Sequence, residues 1–203
     1  DTHMPSLWCS VIKQLKSINK NSEIYQLIQD RFLREAAILE QLGGGSNQIP
    51  ILHAYFESNG EFYLVQEYIE GKTLSEKLRS QGRLGSDVVK DILVKILPVL
   101  EYVHNRGIVH RDIKPENIII RDADNLPVLI DFGAVKETMQ TIVSESGNTP
   151  KSSIVIGTPG FMSSEQLSGR PVFNSDLYAL GMTAIYLLTC KMPQELDSDP
   201  RTG

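Results

Sequence analysis

The chain has 203 residues, 41% apolar and 22% charged, with 20 Lys and Arg against 25 Asp and Glu for a net charge of −5. That length suits one large domain or two small lobes, and the composition excludes a disordered or low-complexity chain. The acidic balance argues against nucleic acid or an anionic membrane surface as the main partner.

Cys9 and Cys190, the two cysteines, are too far apart in the sequence for a disulfide framework or a zinc knuckle, so a reducing, cytoplasmic compartment is expected. Residues 1–30 carry no basic-then-apolar leader pattern, and the longest apolar run, Leu177 to Cys190, is too short to span a bilayer.

In chain order, Val11-Ile12-Lys13 is a short β-like stretch followed by a polar linker, Ser17 to Ser22. Phe32, Leu33, Ala36, Leu39 and Leu42 then recur at helical spacing, and Gly43-Gly44-Gly45 caps that helix. Two β-like runs, Ile49 to Phe56 and Glu61 to Ile69, flank Ser58-Asn59-Gly60, and Asn-Gly between such runs predicts a hairpin. From Gly71 onward the pattern is helical. Ser86 is placed to cap a long helix carrying Val88, Val89, Ile92, Leu93, Ile96, Leu97, Leu100 and Val103, with a kink expected before Pro98. Asn117 to Ile120 and Pro127 to Ile130 read as two more strands. The stretch Thr138 to Pro159 has neither helical nor strand period, and Asp176 to Thr189 is apolar all round, which predicts a buried helix. Strands first and helices after imply an α+β fold in two lobes.

His110-Arg111-Asp112-Ile113-Lys114-Pro115-Glu116-Asn117, with Asp131-Phe132-Gly133 fourteen residues on, carries the chemistry. This pair resembles the catalytic loop and metal-binding signature of eukaryotic-like protein kinases. Eight identities at fixed spacing arise by chance in a chain of this length on the order of once in 10⁸. The resemblance implies a bilobal kinase-like fold, with residues 1–70 a partial small lobe and 71–203 a partial large lobe. It implies Asp112 as the base for the acceptor hydroxyl, Lys114 as a fixed positive charge, and Asn117 and Asp131 as hard oxygen ligands for Mg2+. Asp-x-Lys-x-x-Asn resembles the serine/threonine type, so the partner implied is a protein with a Ser or Thr acceptor.

Other segments match the family in turn. Val11-Ile12-Lys13 resembles the strand presenting the ATP-anchoring lysine, with Val11 toward the adenine, Lys13 toward the phosphates, and Lys16 and Lys20 as alternatives. Glu35 resembles the helix glutamate that pairs with this lysine. Leu64 to Gly71 resembles the interlobe hinge, with Gln66 as gatekeeper, Glu67 and Ile69 offering backbone groups to the adenine edge, and Ile119 beneath the ring. Leu39, Leu52, His110 and Phe132 match the apolar column that links the lobes, which implies a packing role for His110. Asp176 matches the aspartate that holds the catalytic-loop backbone.

Gly157 to Glu165 resembles the substrate-docking end of the activation segment. Ser163-Ser164 stands where the family has Ala-Pro, which leaves the rigidity of that loop open. Phosphorylation of the activation segment, including autophosphorylation, is expected between Ser144 and Ser153, where Arg111 could pair with the phosphate; a polar loop without regulatory use is the alternative. No Gly-x-Gly-x-x-Gly occurs. In the family that loop would precede Asp1, and further helices would follow Gly203, so the chain reads as part of a longer kinase domain. A catalytically inactive kinase fold serving as a binding module is the second reading. Lys13-Gln14-Leu15 and Asp131 to Lys136 resemble bacterial, particularly cyanobacterial, members.

Overall fold

The computed structural model describes residues 9–15, 23–132, 136–137 and 157–196. The linker from Ser17 to Ser22 and the expected phosphorylation stretch from Ser144 to Ser153 lie outside the described residues. The first sheet is antiparallel, in the order β1 (Ser10–Leu15), β3 (Glu61–Glu67), β2 (Leu52–Ser58). Strand alternation turns Val11 and Lys13 inward opposite Gln66 and Leu64, and leaves Ile12 on the solvent face. The β2–β3 hairpin turns at Asn59 and Gly60, both at positive φ (54° and 74°), as a two-residue Asn-Gly turn requires.

Helix α1 (Glu23–Leu42) buries Ala36, Ile38, Leu39 and Leu42 behind this sheet, while Leu33 lies half-exposed beside the groove between α1 and β2. Its end is closed by the amide of Gly43 donating to the Glu40 carbonyl and that of Gly45 to the Leu42 carbonyl. The loop that follows is bonded to the second half of the chain. Gln48 Nε2 donates to the carbonyls of Lys95 and Pro127, Leu129 N donates to the Gln48 carbonyl, and Tyr102 Oη donates to the Leu42 carbonyl.

Tyr68, Ile69 and Glu70 connect the first sheet to a second, which has the order β4 (Gly71–Thr73), β6 (Ile118–Arg121), β7 (Pro127–Leu129). The short strand β4 was not apparent from the sequence. A Cβ at Gly71 would lie 2.2 Å from the Ile120 carbonyl oxygen and 2.9 Å from Ile119 Cγ2, so only glycine lets β4 approach β6 this closely. Gly71→Ala is therefore expected to cost about 1–3 kcal/mol by overpacking, read as a lower urea midpoint at constant slope.

Helix α2 (Leu74–Gln81) starts in a capping box: the Glu76 amide donates to Thr73 Oγ1, and Thr73 N donates back to Glu76 Oε2. Helix α3 (Ser86–His104) runs unbroken through Pro98, whose ring faces solvent. Ser86 is not its cap; Gly85 holds the cap position without a side-chain bond. Val89, Ile92, Ile96, Leu100 and Val103 face the core, whereas Val88 and Leu97 fall on the outer flank, because the apolar set is wider than the buried stripe.

Between α3 and β6 lie β5 (Ile108–Val109), which pairs with β8 (Lys136–Glu137), and a single 3₁₀ turn, Pro115–Asn117. Two α-helices follow, α4 (Ser164–Leu167) and α5 (Phe173–Thr189), and a 3₁₀ turn, Pro193–Glu195, closes the described chain. The expectation of a wholly buried α5 is corrected. One stripe, Ser175, Asp176, Ala179, Leu180, Thr183, Ala184 and Leu187, packs inward against α3 and β5. Leu177, Tyr178, Ile185 and Leu188 are 37–46% exposed, since nothing among the described residues covers that side. Among the described residues no helix is long and apolar enough to cross a membrane.

Candidate active site

The site forms where the first sheet, the second sheet and the loops around α4 and α5 converge. Lys13, the inward residue of β1, donates from Nζ to Glu35 Oε1 on α1 at 2.5 Å, and Asp131 Oδ1 lies 3.7 Å from the same nitrogen. Neither rival lysine, Lys16 or Lys20, is among the described residues. Burial pushes the Glu35 carboxyl above its ordinary range, over the opposing pull of Lys13.

Asp112 follows Arg111, which adopts φ +72°. That backbone is held from α5: Asp176, fully buried, accepts from Arg111 N on Oδ1 and from His110 N on Oδ2, each at 2.8 Å. His104 Nε2 is also 2.8 Å from Oδ2, and its ring stacks on Phe173. His110 is itself buried, edge-on to Phe132 at 4.8 Å, with Nε2 3.2 Å from the Ile130 carbonyl. Burial holds its imidazole below the ordinary range, against the pull of the Asp176, Asp112 and Asp131 carboxylates. A neutral ring wedged against a phenyl group packs; it does not present a base to solvent. Leu39 and Phe132 lie in the same buried core, with Leu52 packed against it.

The Asp112 carboxylate is the node of the site. Its Oδ1 accepts from Thr158 Oγ1 at 2.9 Å, and its Oδ2 from Lys114 Nζ at 2.9 Å and Asn117 Nδ2 at 3.0 Å. Lys114 Nζ also donates to Thr158 Oγ1 at 2.8 Å. Asn117 Nδ2 donates to the Asp112 carbonyl as well, at 2.7 Å, which fixes the amide so that its oxygen turns to the other side. These groups make a carboxylate oriented by three donors, with a cation beside it.

Asn117 and Asp131 fit the family's magnesium by donor chemistry. Among the described residues no cluster of three or more His, Cys, Asp or Glu side chains could hold a metal. Mg2+ takes one or two protein oxygens and completes its shell with water and phosphate, so an amide oxygen and a half-exposed carboxylate are a suitable set.

Of the expected nucleotide-binding positions, Val11 is half-buried on β1 opposite Gln66, and Glu67 ends β3, with Oε2 accepting from Ile51 N. Ile69 is buried in the connector, and Ile119 lies half-buried in β6 opposite Thr73 of β4. Three contributors were missed from the sequence. Thr158 stands within the quoted docking stretch, but no role was attached to it. His104, which bonds Asp176, lies outside every motif read from the sequence. Gln166, whose Nε2 donates to the Arg111 carbonyl at 2.6 Å, carries no motif at all.

The departure at Ser163-Ser164 has a structural outcome. Ser163 is buried in the cap position of α4, and Glu165 Oε1 accepts from Ser175 Oγ at 2.7 Å, tying the docking stretch to α5.

Comparison with known proteins identifies the family. The family model described as "Protein kinase domain" matches residues 9–202. The chain is 62% identical, over all of its length, to serine/threonine-protein kinase PknA of Nostoc sp.. It is 56% identical over its full length to serine/threonine-protein kinases C and D of Synechocystis sp.. It spans 36%, 38% and 39% of these three proteins respectively. All three come from cyanobacteria, in line with the resemblance read from the sequence, and the mixed architecture of a small antiparallel sheet followed by helices is that of a bilobal kinase fold. The chain belongs to the protein kinase domain family.

Proposed function

We propose that this chain supplies the catalytic part of a serine/threonine protein kinase, which transfers the γ-phosphoryl group of ATP to a Ser or Thr hydroxyl of a protein. The observation that carries this reading is the Asp112 carboxylate held by Thr158, Lys114 and Asn117. In the transfer, the acceptor oxygen bonds to the γ-phosphorus, the bond from that phosphorus to the ADP oxygen breaks, and Asp112 takes the acceptor's proton. Lys114 sets a positive charge beside the equatorial phosphoryl oxygens.

Asn117 and Asp131 would hold Mg2+, which supplies neutralisation of phosphate charge when bound. Lys13, fixed by Glu35, would meet the α- and β-phosphates. Val11 and Ile119 would enclose the adenine, whose edge the backbone of Glu67 and Ile69 would read. We take residues 1–70 as the small-lobe part and 71–203 as the large-lobe part, the cytoplasm as the compartment, and the activation segment as a target of autophosphorylation. Nucleic acid and membrane are not among the proposed partners.

The test is transfer of labelled γ-phosphate from ATP to a protein acceptor, followed by phosphoamino-acid analysis. Label on Ser or Thr that disappears when EDTA removes Mg2+ is the expected result. Label on Tyr, or transfer indifferent to EDTA, would overturn the reading.

Thr158 gives a second check. Thr158→Val removes the hydroxyl shared by Asp112 and Lys114 and is expected to lower kcat about tenfold, the worth of one charged hydrogen bond, with KM for ATP unchanged. Thr158→Ser keeps the hydroxyl and is expected to stay within about twofold of wild type.

A further inference from the structure

Arg111 occupies the left-handed backbone region at φ +72°, immediately before Asp112. A residue with a Cβ stays there only where its surroundings hold it. Its peptide groups are gripped from two elements. Arg111 N donates to Asp176 Oδ1 on α5 at 2.8 Å, and the Arg111 carbonyl accepts from Gln166 Nε2 on α4 at 2.6 Å. Gln166 is 1% exposed, so its amide acts inside the protein and not toward solvent.

The same amide meets the second piece of chain that reaches Asp112. A Cβ on Gly157 would lie 2.5 Å from Gln166 Nε2, and Gly157 is at φ +133°, a conformation that favours glycine. The Gly157 backbone therefore rests on the Gln166 side chain. The next residue, Thr158, bonds both Asp112 and Lys114. One buried amide thus sits against the residue before Asp112 and the residue before Thr158.

We propose that Gln166 is a positioning residue for Asp112, locking the Arg111 peptide and the Gly157–Thr158 turn to α4. The inference rests on the kinase reading for its catalytic consequence. An amide suits the position because it offers a neutral N–H donor to a buried carbonyl. A carboxylate would offer no proton there at neutral pH, and an apolar side chain would withdraw the donor.

Gln166→Met in the full-length protein keeps length and volume and removes the donor. The expected result is a kcat about tenfold lower, with KM for ATP within about twofold of wild type. Amide exchange should rise across His110–Lys114 and stay unchanged in Ile118–Arg121. Should the methionine variant fail to fold, Gln166→Ala, which removes the donor and cannot overpack the site, carries the same two readouts. Wild-type turnover together with wild-type exchange in the catalytic loop would overturn the proposal. So would a uniform loss of protection with kcat and KM moving together, which would assign Gln166 to general packing. Absence of transfer in the wild-type protein would overturn the kinase reading alone, and the exchange contrast would still decide whether Gln166 holds the loop.

Discussion

Asp112→Asn is expected to leave the chain folded and ATP affinity intact while phosphoryl transfer falls about 10²- to 10⁴-fold, the range for loss of a general base. Asp112 is surrounded by donors alone: Thr158 Oγ1, Lys114 Nζ and Asn117 Nδ2. Asparagine keeps one acceptor oxygen and turns an NH2 toward the other side. The Thr158 hydroxyl can rotate to accept from that NH2, so one bond is exchanged and the site does not come apart. The expected stability loss is about 1 kcal/mol, the net worth of one hydrogen bond. What asparagine cannot do is take the acceptor's proton. Calorimetric titration with ATP, paired with steady-state kinetics, separates the two effects. A variant that retained more than a tenth of wild-type kcat at unchanged KM would place the base elsewhere.

The legible parts of this chain were those written in contiguous residues. The catalytic loop and Asp131-Phe132-Gly133 are short motifs of fixed identity and spacing, so they could be read without any knowledge of packing. The Asn59-Gly60 turn and Gly44 after α1 were legible because positive φ restricts the residue type. Burial was less legible. Val88, Leu97, Leu177 and Tyr178 carry the same apolar signal as their buried neighbours, and only the tertiary arrangement decides which side of the helix is covered. The hydrogen-bond framework behind Asp112 was partly legible, through Asp176. His104 meets Asp176 across 72 residues of sequence and Gln166 meets the Arg111 carbonyl across 55, and no local pattern encodes contacts of that range. A lysine and a glutamate 22 residues apart were paired correctly only because a family resemblance supplied the geometry.

The Lys13–Glu35 pair makes the sharper thermodynamic prediction, because its two ends are not equivalent. The Glu35 side chain is 6% exposed and that of Lys13 is 31% exposed. Removing Lys13 leaves a buried carboxylate with the Asp131 carboxylate as its remaining charged neighbour, which raises its pKa further. Lys13→Met is therefore expected to destabilise the protein by about 3 kcal/mol at pH 7, the lower end for breaking a buried pair from one side. Glu35→Gln instead removes the buried charge and leaves Lys13 with Asp131 at 3.7 Å and with solvent. It is expected to unfold within about 1 kcal/mol of wild type, since a mostly solvated cation loses little.

The pH dependence has a definite sign. Burial raises the folded-state pKa of Glu35 above the ordinary carboxylate range. The stability linked to its protonation is then fully present below the unfolded value and lost as pH rises through the folded one. The deficit of Lys13→Met should accordingly shrink as pH is lowered from 7 toward 5, while Glu35→Gln, with no carboxyl at this position, should show no such trend. The double variant should recover most of the stability lost in Lys13→Met, giving a coupling outside the limits of simple additivity. Under the role proposed for Lys13, which needs the lysine both present and held, phosphoryl transfer should be low in all three. Urea titrations of the four proteins at pH 5 and pH 7 decide the matter. If Glu35→Gln proved the more damaging single change at pH 7, the cost would lie in an unpaired lysine, and the buried carboxylate would not be the strained member of the pair.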